Sequence, residues 1–182
     1  MSFDLADFSY SRQRAPTHVE LRKRHFTIIV RGQTFGLPVD CVKTVFHVEA
    51  LTPVPLAPKE IAGLANLRGR IVTALHLDRC LWADCRDNHP VRIAIVVEHN
   101  GEDYALLVDE TGDVVVTAEN DLINRPAHID KPLSELLAAC YRFEEGILSI
   151  LDVGALIKRV SRKHDVSRRD TIARNTTIGA HI

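Results

Sequence analysis

The chain has 182 residues, of which 46% are hydrophobic and 26% charged, and its formal net charge is −1. This length favours one compact domain, and no apolar run approaches the roughly 20 residues that a membrane-spanning helix needs. The span 25–160 holds 13 Lys/Arg against 19 Asp/Glu, a charge of −6, whereas the two flanks hold 10 against 5, a charge of +5. The acidic body argues against nucleic acid as the main partner.

Residues 1–24 are polar and lack a periodic apolar pattern, which predicts a flexible N-terminal extension. The first residues carry acids and lack the charged-then-apolar order of a secretory signal, so a cytoplasmic location is expected. Cys41, Cys80, Cys85 and Cys140 form no CxxC pair and are interpreted as small apolar residues. Neither a disulfide framework nor a metal or other cofactor is therefore predicted.

The first predicted elements are short strands. His25–Arg31 is rich in Ile, Val, Thr and Phe, and after a Gly-containing turn a second strand covers Thr34–Leu37. Gly36 inside that strand predicts a bend or a close backbone approach. The apolar spacing of Val39–Val48 predicts a short helix or turn that leads into a strand. Thr52–Pro58 contains three prolines and is predicted to be an extended surface loop.

The middle of the chain alternates turns with strands. Asn66–Gly69 is predicted to be a turn, Arg70–Leu77 a buried strand and Asp78–Trp82 a single helical turn. Val91–Glu98 and Asp103–Val108 are predicted to form a hairpin, whose Asn-Gly pair suits a type I′ turn.

The last third is predicted to contain one hairpin and two helices. A strand is predicted at Val114–Thr117, followed by a loop at 118–131 and a helix at Pro132–Cys140. The hairpin consists of Tyr141–Glu144 and Ile147–Val153, with its turn at Glu145-Gly146. A closing helix at Gly154–Val160 and a polar basic tail at 161–182 complete the chain. Many short strands with few helices indicate an all-β fold of the barrel or sandwich type.

The segment Ile61–Leu77 resembles the signature of CheW-like domains. It reads Gly63-Leu64-Ala65-Asn66-Leu67-Arg68-Gly69, followed by Ile71-Val72 and Leu77. Other landmarks of that family follow in the expected order across residues 25–160, namely Phe26, Gly32, Phe35-Gly36-Leu37, the proline loop, Leu106-Leu107-Val108-Asp109, and Gly146 leading to Leu151-Asp152-Val153. The sequence departs from the family at Thr73, His76 and Thr44, which replace the usual Pro, Asp and acidic residue.

The resemblance implies a fold of two linked small SH3-like five-stranded β-barrels with a few short helices, spanning residues 25–160. It implies a non-catalytic adaptor that couples chemoreceptors to a CheA-type histidine kinase in bacterial chemotaxis. One lobe would pack on the regulatory domain of the kinase. The groove between the lobes would take the tip of the cytoplasmic hairpin of a methyl-accepting receptor, at receptor arrays beneath the inner membrane and without direct membrane insertion.

Arg68 is the strongest candidate for a partner contact, because its planar guanidinium offers five donors to carboxylates or carbonyls. The alternative is that Arg68 staples its own loop. The full set of residues predicted to bind partners is Arg68, Val42, Thr44, Val45, Asn66, Leu67 and Gly69. Val42 and Val45 are alternatively plain core residues. Gly36 and Gly63 are interpreted as structural glycines.

Two other functions remain open. An enzyme is disfavoured because the sequence contains no HExxH, GxSxG, GxxxxGK[ST] or GxGxxG motif, and His25, His47 and His76 stand singly in strand-like segments. His76 is alternatively a pH-sensitive contact. The departures at Thr44, Thr73 and His76 also allow a diverged scaffold for another chemosensory pathway, such as motility or development, or a decoy that binds only one partner.

Overall fold

The computed structural model describes residues 22–82, 92–143 and 146–162. The strands in these ranges are β1 (Lys23–Val30), β2 (Gln33–Pro38), β3 (Val42–His47), β4 (Ile61–Leu67), β5 (Arg70–His76), β6 (Ile93–His99), β7 (Glu102–Val108), β8 (Glu110–Thr117), β9 (Leu122–Ile123), β10 (Leu137–Phe143) and β11 (Gly146–Leu151). The helices are α1 (Leu77–Leu81), α2 (Lys131–Ser134) and α3 (153–162), and short 3₁₀ turns lie at Val39–Cys41 and Glu119–Asp121.

The described strands form two sheets, and the first and last strands, β1 and β11, belong to the same sheet. The six-stranded sheet has the order β8-β1-β2-β11-β10-β9, and the five-stranded sheet has the order β3-β6-β7-β5-β4. Each sheet contains a parallel pair, β2 with β11 and β5 with β7. The prediction of an all-β fold with two linked β units and few short helices is confirmed. The larger sheet has a sixth strand because β9 pairs beside β10.

One hydrophobic core lies between the two sheets. Phe35 and Leu37 of the six-stranded sheet and Ile95 and Leu106 of the five-stranded sheet belong to the same cluster, which we call the shared core, and all four are fully buried. Trp82 packs against this cluster, with its ring centroid 6.0 Å from that of Phe35. The two lobes are therefore held together by apolar burial rather than by a linker alone.

A second cluster lies on the other face of the five-stranded sheet, because side chains alternate along a strand. Its members Ala74, Ala94 and Ala105 are small and fully buried. Phe46 from the edge strand β3 and Leu67 from the opposite edge strand β4 both pack against it. The two edges of the sheet therefore curl toward one another, which is the geometry of a small barrel.

The predicted helix at Pro132–Cys140 is wrong over most of its length. Helix α2 ends at Ser134, and β10 begins at Leu137 and pairs with β11. Leu133, Leu136 and Leu137 all reach the shared core, although only the first lies in a helix. One helical turn followed by a strand buries the same three leucines, so the helical spacing was misleading.

Other predicted boundaries differ in smaller ways. The predicted loop at 118–131 contains a 3₁₀ turn and the two-residue strand β9, which pairs with Cys140 and Tyr141. The hairpin predicted at Asn100-Gly101 is confirmed, with a positive φ at both residues as a type I′ turn requires. Lys23 and Arg24 belong to β1 and residues 161–162 to α3, so the predicted extension and tail are each too long at their inner ends. Residues 1–21, 83–91, 144–145 and 163–182 lie outside the described ranges, so the rest of the extension, the rest of the tail and the place of Cys85 stay predictions.

Candidate functional site

A tight turn joins β4 to β5 at the exposed end of their hairpin. Arg68 and Gly69 occupy its two central positions, with φ of 52° and 87°. The Gly69 N–H donates a hydrogen bond of 2.8 Å to Asn66 Oδ1. The side chain of Asn66 therefore closes this turn, and Gly69 supplies a residue without a Cβ where φ is positive. Arg68 accepts a left-handed conformation that costs roughly 1–2 kcal/mol for a residue with a side chain.

The Arg68 side chain projects from this turn into solvent. Within the described ranges, no hydrogen bond or ion pair holds its guanidinium. The interpretation of Arg68 as a staple of its own loop therefore has no contact to support it in the described part of the chain. Arg70, two residues further on, differs, because its Nη1 lies 3.7 Å from Asp103 Oδ2. The described residues thus leave all five donors of Arg68 without a hydrogen-bond partner.

A groove of about 430 Å³ lies beside the turn. One wall consists of Asn66, Leu67, Arg68 and Gly69, and the other wall is formed by residues 46–50, at and beyond the end of β3. Four of the seven predicted contact residues therefore line one concavity. Residues 46–50 were not singled out from the sequence, because only the curling of the sheet brings its two edge strands together.

Three predicted contact residues on β3 do not line this groove. Val42 is half-buried and packs against the shared core, so it belongs partly to the interior. Thr44 and Val45 are consecutive and therefore point to opposite faces of the sheet. Val45 is 41% exposed, a large fraction for a strand valine. The contact roles of all seven residues stay predictions, but Val45 is the member of the β3 group that a partner could reach without rearrangement.

A charged cluster lies near the same end of the five-stranded sheet. Lys43 Nζ lies 2.6 Å from Asp103 Oδ1 and 2.6 Å from Glu98 Oε2. Hydrogen bonds to Asp103 and then to Glu98 raise the pKa of Lys43 above its ordinary value. With Arg70, the cluster links strands β3, β6, β7 and β5. The charges around the hairpin are therefore paired, in contrast to the guanidinium of Arg68.

Two glycines stand where a side chain would collide with its surroundings. Gly63 has φ of 146°, and a Cβ there would lie 2.5 Å from the carbonyl oxygen of Thr52. Thr52 exchanges two backbone hydrogen bonds with Leu64, of 2.9 and 2.8 Å. Gly63 thus lets the proline loop pair against β4. A Cβ on Gly36 would lie 2.5 Å from Ile150 Cδ1, where β2 and β11 pack.

The chemically reactive side chains of the described ranges are dispersed. Cys41, Cys80 and Cys140 form no disulfide with one another, and burial raises the pKa of the Cys41 thiol to about 11. Among the described residues, no group of three His, Cys, Asp or Glu side chains is placed to hold a metal ion. The helices described here are also too short or too polar to cross a membrane.

Two linked β units with a shared core and an exposed Asn-Leu-Arg-Gly turn define a class of small double-barrel proteins. The model of the CheW-like domain family matches residues 24–161 of this chain. The chain therefore belongs to the CheW-like domain family, as the resemblance of its sequence predicted.

Individual relatives agree with this assignment. The chain is 27% identical over 136 residues to Chemotaxis protein CheW of Thermotoga maritima, a match that covers 74% of this chain and 87% of that protein. It is 25% identical over 97 residues to Chemotaxis protein CheW of Rhizobium meliloti, covering 53% and 63% respectively. The crystal structure of the scaffolding protein TtCheW from Thermoanaerobacter tengcongensis superposes with a TM-score of 0.66 at 22% identity, over 75% of this chain and 92% of that one. The last comparison establishes a shared fold.

Proposed function

We propose that this protein is a non-catalytic adaptor that couples chemoreceptors to a CheA-type histidine kinase in bacterial chemotaxis. Membership of the CheW-like domain family over residues 24–161 supports the proposal, as do two relatives that are chemotaxis proteins. The adaptor works in the cytoplasm, at receptor arrays beneath the inner membrane. It needs no cofactor, because its task is to hold two partners in a fixed geometry.

The observation that carries this proposal is the guanidinium of Arg68 beside the groove, which forms no hydrogen bond or ion pair within the described ranges. An exposed arginine in a strained turn conformation is a costly arrangement for a residue with no contact of its own among the described residues. A partner with carboxylates or free carbonyls would use its donors in a forked geometry. Arginine is also among the residues that contribute most to binding energy at protein interfaces.

Two regions of the five-stranded sheet, the groove at the β4–β5 turn and the edge strand β3, offer two different contacts. Asn66, Leu67, Arg68 and Gly69 form a polar-rimmed wall that suits the helical tip of a receptor hairpin, since a helix laid in a groove is a recurring recognition mode. Val45, with its neighbours Val42 and Thr44 on the edge strand β3, offers an apolar edge that suits the regulatory domain of the kinase. An edge strand with an exposed valine extends readily into a partner's sheet.

Substitution of Arg68 tests the proposal directly. Arg68→Ala should weaken co-sedimentation with receptor-containing membranes and a CheA-type kinase by about tenfold or more, because an interface arginine is worth roughly 1–3 kcal/mol. Arg70→Ala is the matched control, since it removes the same charge from the same hairpin but from a residue held near Asp103. Equal binding by the two variants and the unaltered chain would exclude Arg68 as a contact.

The alternative function is a diverged scaffold for another chemosensory pathway, or a decoy that binds only one partner. Thr44 favours it, because a half-buried neutral side chain stands on β3 where the family usually has an acid. Thr73 and His76 on β5 are the other departures. Separate binding measurements with the kinase regulatory domain and with the receptor hairpin distinguish the functions. Binding to one partner alone supports the decoy. Binding to neither partner contradicts both the adaptor and the decoy.

A further inference from the structure

A second groove, of about 640 Å³, lies between α2 and α3 on the six-stranded lobe. Four cations line it, Lys131 from α2 and Lys158, Arg159 and Arg162 from α3. The residues Ala155, Lys158, Arg159 and Arg162 have the spacing i, i+3, i+4, i+7, which places them along one side of a helix. The opposite side of α3 is buried in the shared core. The groove is therefore a basic strip held in place by a well-packed helix, and it shares no residue with the groove at Arg68.

Four cations and one carboxylate, that of Glu135, line this groove, so its lining keeps a net charge of +3. Lys131, Lys158 and Arg162 are exposed, and no ion pair joins any of the four cations to a described carboxylate. Arg159 is fixed by a hydrogen bond of 2.8 Å from its Nη1 to the carbonyl oxygen of Pro132. The sequence beyond the groove does not offset this charge, since residues 163–182 hold four Lys/Arg against two Asp, a net charge of +2. Clustered cations at a concave surface focus a potential that attracts anions.

We propose that this groove binds an acidic segment of a partner protein. Carboxylates of the segment would meet Lys131, Lys158 and Arg162. Pro132, Leu136 and Ala155 supply an apolar surface between the charges, on which the aliphatic parts of a peptide can rest. A volume of about 640 Å³ lies within the range of ligand-sized concavities and suits a few residues of such a segment.

Glu135 distinguishes a peptide from a phosphate polyanion as the occupant. Its carboxylate lies in the lining of the groove and takes part in no ion pair with the described residues. Against a row of phosphates this carboxylate is repulsive, because phosphate oxygens are anionic acceptors with no N–H to donate. Against a peptide it is useful, because it can accept a hydrogen bond from a backbone N–H.

The charge of the rest of the protein points to the same occupant. The span 25–160 carries −6, so an extended polyanionic surface that reached the groove would also face an acidic body. A short peptide meets only the groove, because charges further away than a Debye length of about 8 Å are screened at physiological salt. The site shares no residue with the two contacts of the proposed adaptor. Its occupant would therefore be a third partner, with an acidic segment.

The test uses the full chain and a fluorescently labelled, capped peptide of alternating Glu and Ala. Fluorescence anisotropy should show binding that weakens as salt is raised. A peptide with Gln in place of Glu should bind at least about tenfold more weakly, and Lys158→Glu with Arg162→Glu should weaken the Glu peptide by a similar factor. Both residues are exposed, and the far-UV circular dichroism of the variant should match that of the unaltered chain.

Two control variants carry the same change of charge elsewhere. Arg92→Glu with Arg142→Glu alters exposed positions outside the groove, and Arg168→Glu with Arg169→Glu alters the basic C-terminal sequence. Each should change the affinity by less than about twofold. A loss equal to that of the groove variant in either control overturns the proposal, because the attraction would then be non-specific or would belong to the tail. Tighter binding of phosphatidylserine vesicles or of a DNA duplex, with the same dependence on Lys158 and Arg162, overturns the choice of a peptide.

Discussion

Asn66 and Arg68 have different roles, although both lie in the same Asn-Leu-Arg-Gly stretch. Asn66 accepts a hydrogen bond from the Gly69 N–H and so maintains the turn, whereas the guanidinium of Arg68 forms no hydrogen bond or ion pair with the described residues. A structural residue and a residue available to a partner therefore lie two positions apart. The sequence suggested both roles for Arg68, and the geometry supports the partner role because Asn66 already closes the turn.

His25 is the most deeply buried histidine of the described ranges, at 3% exposure. Its Nε2 lies 3.1 Å from Thr117 Oγ1, so it joins β1 to β8, and its Nδ1 has no hydrogen-bond partner among the described residues. Burial, and then the positive charge of Lys23, lower the pKa of His25 below its ordinary value of 6.5. The folded protein therefore holds this imidazole neutral at pH values where an exposed histidine is already protonated.

This pKa shift predicts a loss of stability in mild acid. As the pH falls below about 6.5, the unfolded chain binds a proton at His25 before the folded chain does, so the free energy of unfolding falls. The contribution of His25 is complete above pH 6.5 and is lost as the pH falls toward the folded pKa. His25→Gln removes the titrating group, so the stability difference between the unaltered chain and the variant should shrink as the pH is lowered from 7.5 to 5.

Urea unfolding at several pH values measures this difference. The other histidines and the carboxylates are present in both chains, so their contributions cancel when the two stabilities are subtracted. A stability difference between the two chains that stays constant over this range would show that His25 has the same pKa in the folded and unfolded states.

At the scale of single elements, the proline loop is held by its pairing with β4. The isolated bridge between Thr52 and Leu64 depends on Gly63, whose backbone is in a region that glycine adopts and other residues avoid. The loop is exposed, as predicted, but it is not extended throughout, because the Ala57 N–H donates a hydrogen bond of 3.3 Å to the Val54 carbonyl and Leu56 has a φ of 61°. Its attachment to β4 depends on the pairing of Thr52, at the start of the loop, with Leu64, twelve positions further on, which the local pattern did not reveal.

Substitution of Gly63 should therefore destabilise the five-stranded sheet. Gly63→Ala places a Cβ against a backbone carbonyl at a strained φ, and we expect a loss of about 2–4 kcal/mol in the free energy of unfolding. Gly101→Ala is the matched control, because Gly101 also has a positive φ, of 82°, but no atom lies within 4 Å of its added Cβ. Its cost should be near 1 kcal/mol. Urea denaturation compares the two, and equal losses would mean that the clash with Thr52 is relieved without cost.

At the scale of the whole molecule, we expect the shared core to make the two lobes one cooperative unit. Leu106 is fully buried on β7 and packs in the same cluster as Phe35 of the other sheet. Trp82, the one tryptophan of the sequence, lies against Phe35 and reports on this region. A core that takes residues from both sheets should unfold as a whole, because loss of either sheet exposes the apolar face of the other.

Leu106→Ala should lower the free energy of unfolding by about 2–5 kcal/mol, the usual cost of a cavity at a fully buried leucine. The variant should have a lower urea midpoint than the unaltered chain. Within each chain, however, Trp82 fluorescence and far-UV circular dichroism should give the same midpoint as one another. Ile71→Ala is the control, since Ile71 lies on the same sheet but is 65% exposed, and we expect a change below about 0.5 kcal/mol. Two separate transitions would show that the lobes fold independently.

The sequence by itself determined the local elements and the family. The β-branched runs predicted β1 and β6, the Asn100-Gly101 pair predicted its hairpin, and the Asn66–Gly69 stretch predicted both a turn and the resemblance that the comparisons confirmed. These features depend on residues a few positions apart, where backbone preference and side-chain alternation act directly.

Only the tertiary structure decided which strands became neighbours. The parallel pairs β2 with β11 and β5 with β7, the return of the chain end to the first sheet, and the strand at Leu137–Phe143 all depend on partners far away in sequence. The same holds for the basic groove, which requires α2 and α3 to meet. A hydrophobic pattern shows which side chains must be buried, but the pairing of strands is chosen by the packing of the whole core.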